Sequence, residues 1–358
     1  MKVGVADLPL HYGTCPSWLF ERMKKLGRAL AEIIVLEYGK REFLRRISDP
    51  FWFQAFSCVL GFDWHSSGVT TTVTAALKEA DLKDLGIAVL GGKGKASKKT
   101  LDEINELAEV FSLSTKRIEQ LKRISKLVAK VDNNALQDGF MLYHHSFIVS
   151  EDGRWCVIQQ GMNIESRYAR RYHWLSEKIK SFVEEPHVAI CCDFKTRCLN
   201  MVAKESKEAR KCSVDLVKDN PMHLQAYISP SKEQKTLLKY LHMPQIHTIE
   251  LKNYSGLMNA FEEQPKNYEE LLLVKGMGAK TVRALALISN LVFGAEVSWR
   301  DPVKYSFAHG GKDGHPYPVD KSTYDESIEI LEDTIKQAKL NDKEKMDVLK
   351  NLKEFFHF

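Results

Sequence analysis

A chain that sets Leu271-Leu272-Leu273-Val274 just ahead of Lys275-Gly276-Met277-Gly278, with a helix-forming run behind, has few ways to fold there. The apolar run reads as a short helix, and the glycines force a sharp turn because neither carries a Cβ. Val282, Leu285, Ala286, Ile288 and Leu291-Val292 then recur at helical spacing, so a second helix should run to a stop near Gly294. The first turn of that helix has backbone N–H groups with no partner inside the helix. With the helix dipole, Lys280, Thr281 and Arg283 beside them, those groups make a seat for a phosphate.

The stretch LLLVKGMGAKT resembles the helix-hairpin-helix element, which holds duplex backbone through main-chain groups and reads no base. The downstream residues resemble the helix-hairpin-helix DNA glycosylases, in which a catalytic Asp follows the glycine that ends the hairpin helix. Here Asp301 lies seven residues beyond Gly294. Lys280 matches the position of the Schiff-base lysine in the bifunctional members. The helix is about one turn longer than in that family, and Asp301 sits in Trp299-Arg300-Asp301-Pro302 instead of V-D-T-H. The other reading is that Lys280 touches only a phosphate and Asp301 ends a turn before Pro302. The glycine- and proline-rich segment beyond it, with His309, Lys312, Asp313 and His315, reads as an ordered polar loop.

At 358 residues the chain has room for two domains. An α+β domain with a small sheet is expected over 1–225, with NPMHLQAYISPSKEQ as linker, and an all-α domain carrying the hairpin over 226–358. With 44% hydrophobic and 28% charged residues, the composition is that of a soluble protein. No run approaches a membrane span and no signal peptide opens the chain, so a cytoplasmic location is expected. A formal charge of +5 permits a nucleic-acid partner without demanding one. Seven cysteines without a CxxC read as buried thiols, in preference to a metal site built from Cys191, Cys192, Cys198 and His187.

In chain order, Ser17 opens an amphipathic helix that ends at Gly39, a second helical stretch covers Glu42 to Ile47, and Asp49-Pro50 starts a buried aromatic helix. Asp63 and His65 follow, at the edge of a core. They read either as acid/base groups at a cleft or as caps for the helix of VTTTVTAALKEA. GIAVL reads as a strand running into a basic glycine-rich loop, where Lys93 and Lys95 could wrap a phosphate backbone. After two helices, Asp152-Gly153 predicts a type I′ hairpin turn, which would pair Val149 with Cys156, Phe147 with Ile158 and His145 with Gln160. His145 is then either a satisfied core histidine or a ligand-facing one. RYARRYHW interleaves Arg170 and Arg171 with aromatic rings, as a surface for a single strand or flipped base would, or packs on the hairpin as a helix. Asp193-Phe194-Lys195 has the D-x-K form of nucleases that hold Mg²⁺.

ADLPLHYG, LGFDWHSSGVTT, YHHSF, VIQQGMN and DPVKYSFAHGGKDGHPYPVD together resemble a mainly archaeal, thermophile-rich family, domain of unknown function 763. The resemblance implies no activity and no catalytic residue. From the residues alone, the expected function is a DNA-processing enzyme of repair acting on damaged or branched duplex. Either it is a glycosylase or lyase using Asp301 and Lys280, or an endonuclease using Asp63, His65 or His145, with Mg²⁺ if Asp193 takes part. A non-enzymatic DNA-binding protein is the third reading. The expected nucleic-acid contacts are Gly276, Gly278, Lys280, Thr281, Arg283, Lys93, Lys95, Arg170, Arg171 and Lys312.

Overall fold

The structure, a computed structural model, describes residues 15–62, 66–192, 195–221, 223–224, 251, 254–303 and 321–337, and parts of 343–350. Three helices come first. Helix α1 (Ser17–Ser48) breaks at Gly39, where φ is 83° and ψ 163°. Helix α2 (Pro50–Val59) is capped by Asp49, whose carboxylate accepts from the Trp52 N–H at 2.8 Å, and all of its residues are buried. Helix α3 (Ser67–Glu79) follows. The cap, the proline and the break thus fall where the sequence puts them.

Strand β1 (Ile87–Lys93) is longer than GIAVL. The expected glycine-rich loop is short and ordered, a single-turn helix α4 (Lys95–Lys98) leading into α5 (Thr100–Val110) and α6 (Thr115–Lys130). Order there comes from side chains. Glu103 accepts from the Gly91 N–H at 2.6 Å and Lys78 donates to the Gly91 carbonyl at 2.7 Å, which blunts an open sheet edge. Then come β2 (Leu136–Gln137), β3 (Met141–Ser150), β4 (Trp155–Asn163), β5 (Tyr168–Leu175), β6 (Ala189–Cys191) and β7 (Leu199–Asn200). Helix α7 (Lys207–Lys218) precedes α8 (Ser255–Glu263), α9 (Tyr268–Leu273), α10 (Ala279–Leu291) and α11 (Lys321–Gln337).

Among the described residues, β1, β3, β4, β5 and β6 form an antiparallel five-stranded sheet in that order. The fold is therefore mixed helix and sheet, with the sheet between two helical layers. One face carries Ile148, Ile158 and Leu175 and packs on α1, α2, α3 and α11. The other carries Phe147, Val157, Tyr172 and Trp174 and packs on α5, α6, α7 and the helices from α8 to α10. The hairpin helices thus share a core with the sheet, so the described residues pack across the boundary expected at 225.

Two expectations change. The β3–β4 turn has three residues, not two: Ser150 pairs with Arg154 at 2.9 Å, Asp152 accepts from the Arg154 N–H, and Gly153 takes φ 80°. A three-residue loop with its last residue left-handed shifts the register by one. His145 therefore faces Gln159, Phe147 faces Val157 and Ile148 faces Cys156. The second change is RYARRYHW, which is the sheet's fourth strand and not a helix. Its Arg170 and Arg171 are fully buried, each on a different face.

Candidate nucleic-acid interface

Three buried polar systems and one exposed basic surface hold most of those residues singled out by sequence that the structure describes. The first system surrounds Asp132, in the single wide turn Val131–Ala135 after α6. Its carboxylate accepts from His187 Nε2 at 2.5 Å, Trp174 Nε1 at 2.9 Å and Gln159 Nε2 at 2.5 Å. Gln159 Oε1 accepts in turn from His145 Nδ1 at 2.8 Å, which leaves His145 Nε2 to accept from Ser125 at 2.9 Å. Both ring nitrogens of His145 are occupied, and burial depresses its pKa. It is a satisfied core histidine.

The second system is built on Arg170. Its guanidinium meets Asp301 in a fork, at 3.2 and 2.7 Å, and Asp138 at 2.9 Å, with the Phe140 ring beneath it. Asp301 also accepts from the Thr196 N–H at 2.7 Å and the Val303 N–H at 3.1 Å, and Tyr172 donates to Asp138 at 2.7 Å. Burial alone would disfavour the Arg170 cation, but the charges of Asp138 and Asp301 and the Tyr172 oxygen outweigh it and raise its pKa. Asp301, with its side chain 4% exposed, ties the segment after α10 to the sheet. It accepts from the N–H two residues on and helps to neutralise an arginine.

The third system is a row across the sheet's opposite face: Lys93, His144, Gln160, Arg171 and Cys191 are neighbours on β1, β3, β4, β5 and β6. Helix α3 covers it with Thr74 on His144 at 3.1 Å, Thr70 on Arg171 at 3.3 Å and the Ser67 carbonyl on Gln160 at 2.8 Å. Burial, with His145 and Lys93 adding to it, pushes His144 down to about 3. Burial also pushes Arg171 down to about 10, against Cys191. Cys191 and Cys192 serve opposite faces, as neighbours on a strand must, and all seven cysteines are free.

The glycine hairpin between α9 and α10 is held from behind. Met277 is buried, and its carbonyl accepts from Lys130 at 3.0 Å and Asn134 at 3.1 Å. Gln137 donates to the Ala279 carbonyl at 2.7 Å and Asn259 to that of Lys275 at 2.8 Å. These bonds use carbonyls, and Gly278 supplies no side-chain cap to the first-turn N–H groups of α10. Gly276 takes φ 84° and touches Gly256 of α8, where a Cβ would overlap the Gly276 carbonyl. Gly256→Ala is therefore expected to destabilise the fold by about 1–3 kcal/mol, read as a lower urea midpoint. A midpoint equal to wild type would show that α8 does not clamp the turn.

Lys275, Gly276 and Lys280 are exposed on this hairpin, whereas Thr281 is buried. Next to it Arg283, an expected contact, joins residues the sequence did not suggest. Trp299, half-buried, has the Arg283 guanidinium 5.6 Å and that of Arg197 5.8 Å from its ring centre, with Lys195 and Arg300 exposed alongside. Lys93 and Lys95 are exposed at the far edge strand, Lys93 lying 5.9 Å from the Tyr143 ring. Arg170 and Arg171 are closed off from any nucleic acid. Asp63, His65, Asp193 and Lys312 lie outside the described residues. Among the described residues, no helix is long and apolar enough to cross a membrane.

The pairings above draw together segments scattered along the sequence, as a family signature would. The chain belongs to the family described as "Protein of unknown function (DUF763)", whose pattern matches residues 4–319. No curated protein and no solved structure matches it.

Proposed function

We propose that the chain is a DNA-binding protein that grips the phosphate backbone of a duplex with the 274–280 hairpin, in the manner of a helix-hairpin-helix element. The observation that carries this reading is the uncapped start of α10, presented by a turn whose Lys275, Met277 and Ala279 carbonyls are held by side chains, with Lys275 and Lys280 exposed beside it. A fixed set of uncapped N–H groups beside two cations suits a phosphate and carries no base specificity. The role is in DNA processing, on damaged or branched substrates. Asp301 is engaged on both oxygens, so a glycosylase step through it requires the Arg170 fork to open. Lys280 is exposed, without the desolvated pocket that activates an amine.

The test is fluorescence anisotropy on a labelled duplex across a salt series. Wild type should bind in the range of about 10⁻⁴ to 10⁻⁶ M expected of sequence-independent contacts, with affinity falling steeply as salt rises. Lys280→Ala and Lys275→Ala should each weaken binding and lower the salt slope by about one ion. Affinity that ignores salt, or that survives loss of both lysines, would sink the hairpin reading. Borohydride trapping on abasic DNA decides the chemistry separately: an adduct lost in Lys280→Ala would make the hairpin catalytic.

A further inference from the structure

We propose that the free edge of β1 is a docking site for an extended basic peptide, which adds to the five-stranded sheet as a further strand centred on Val89. The site takes a protein partner and does not depend on the hairpin reading.

Among the described residues, β1 lies at one end of the sheet and pairs on one side, with β3. The ladder decides which of its backbone groups point outward, because in an antiparallel pair alternate residues turn both N–H and carbonyl to the partner strand. The Gly94 N–H donates to the Tyr143 carbonyl at 2.8 Å, and the Gly86 carbonyl accepts from the Glu151 N–H at 2.9 Å, with an unbroken register between them. Even-numbered residues therefore face β3, and Ile87, Val89 and Gly91 face away. At both ends the outward groups are taken. The Ile87 N–H donates to the Leu82 carbonyl at 3.1 Å, and Glu103 and Lys78 hold the N–H and carbonyl of Gly91. Between these stops the N–H and carbonyl of Val89 have no partner within the protein.

The gap opens on a cavity of about 370 Å³, within the range of about 300–1,000 Å³ that ligand sites occupy. Ala88, Val89 and Leu90 form its floor, Leu82 from the turn after α3 one wall, and Leu107 of α5 the other. A sheet edge stopped at both ends and left open in the middle, with space in front of it, suits one short length of backbone. The same two walls flank β1 in a second copy, which disfavours edge-to-edge pairing of two chains.

Charge narrows the peptide. Of the ionised groups that line the cavity, Lys78 pairs with Glu103 at 2.7 Å and Lys83 with Asp81 at 4.0 Å. That leaves Glu106, which is exposed and has no ion pair among the described residues. It lies one turn along α5 from Glu103, about 4.5 Å along the axis from the Gly91 stop and so beside the gap. Side chains of an added strand alternate between the two walls. The residue opposite Val89 shares its face, towards Leu82, and its neighbours face Leu107. A lysine or arginine there lays its stem on Leu107 and brings its charge to Glu106.

The probe is a labelled pentapeptide of alternating valine and lysine, titrated into the full chain by anisotropy. Beside it run a twin with glutamate for lysine and a third peptide N-methylated at its central valine, which lacks the donor for the Val89 carbonyl. The lysine peptide should bind with Kd below about 1 mM, and the N-methylated one about 2- to 10-fold more weakly, the worth of one hydrogen bond. Glu106→Gln, at an exposed position, should cost about 1.5- to 5-fold, and Glu106→Lys should turn the preference towards the glutamate peptide. Amide exchange locates the contact: in the free protein the Val89 N–H should exchange faster than those of Ala88 and Leu90, and the lysine peptide should slow it. No binding up to about 1 mM, equal affinity for the N-methylated peptide, a preference unmoved in Glu106→Lys, or no added protection at Val89 overturns the docking site. Protection of Val89 in a dimer without peptide gives the edge to a second copy and overturns it too. Duplex affinity should be unchanged in the Glu106 variants, so failure here leaves the hairpin standing.

Discussion

Replacing Arg170 by methionine is expected to destabilise the fold by about 3–5 kcal/mol, the usual loss when one partner of a buried ion pair is removed. Asp138 and Asp301 would then face one another in the interior with no cation between them, and the Asp301 link between the hairpin segment and β5 would fail. Arg170→Lys should not rescue it, because an ammonium cannot make the fork that meets both Asp301 oxygens. Adding Asp301→Asn to Arg170→Met should recover part of the loss by removing a buried charge. Urea denaturation of wild type, Arg170→Met, Asp301→Asn and the double variant closes a double-mutant cycle. A loss under about 1 kcal/mol in Arg170→Met would mean the cluster is open to water, and Asp301 would return as a candidate for chemistry.

That cluster also explains what could and could not be read from the sequence. Asp49-Pro50, Gly39 and the Gly276–Gly278 hairpin act through neighbours a few residues away, so their roles are local and legible. Asp152-Gly153 marks a turn correctly, but its length depends on the Ser150 and Arg154 pairing with the Asp152 side chain, and one residue of error moves His145 from Gln160 to Gln159. RYARRYHW is misleading because charge is the ordinary sign of exposure. Only the distant Asp138 and Asp301 make Arg170 affordable in the core. Asp301 itself was found by spacing, and its role was set by a partner 131 residues away. Arg283 was expected beside the hairpin, but its meeting with Trp299 and Arg197 has no local signal, since the three come from separate segments. Family membership, in contrast, rests on short segments that sequence reading could join without knowing why they belong together.

Acid should unfold this protein through its histidines before its carboxylates. His144, His145 and His173 are buried, and burial comes first among the causes that hold each below its ordinary pKa. For His173 the Arg171 cation adds to burial. A histidine with a depressed folded pKa contributes stability that is complete above the unfolded value near 6.5. That stability is lost as pH falls towards the folded value, because only the unfolded chain takes up the proton. With His144 at about 3, the loss is about 1.4 kcal/mol per pH unit once pH is below 6.5, or about 2 kcal/mol by pH 5. His145 and His173 push the same way, so the loss exceeds that of His144 alone, against the roughly 5–15 kcal/mol that holds a domain together. The check is the urea midpoint measured from pH 7.5 to 5, above the ordinary carboxylate pKa values near 4. It should be level above pH 7 and fall below 6.5, and His144→Gln should flatten the fall by about one proton. A midpoint constant from pH 7 to 5 would show that the polar row under α3 admits charge, and that His144 is not sealed beneath Thr74.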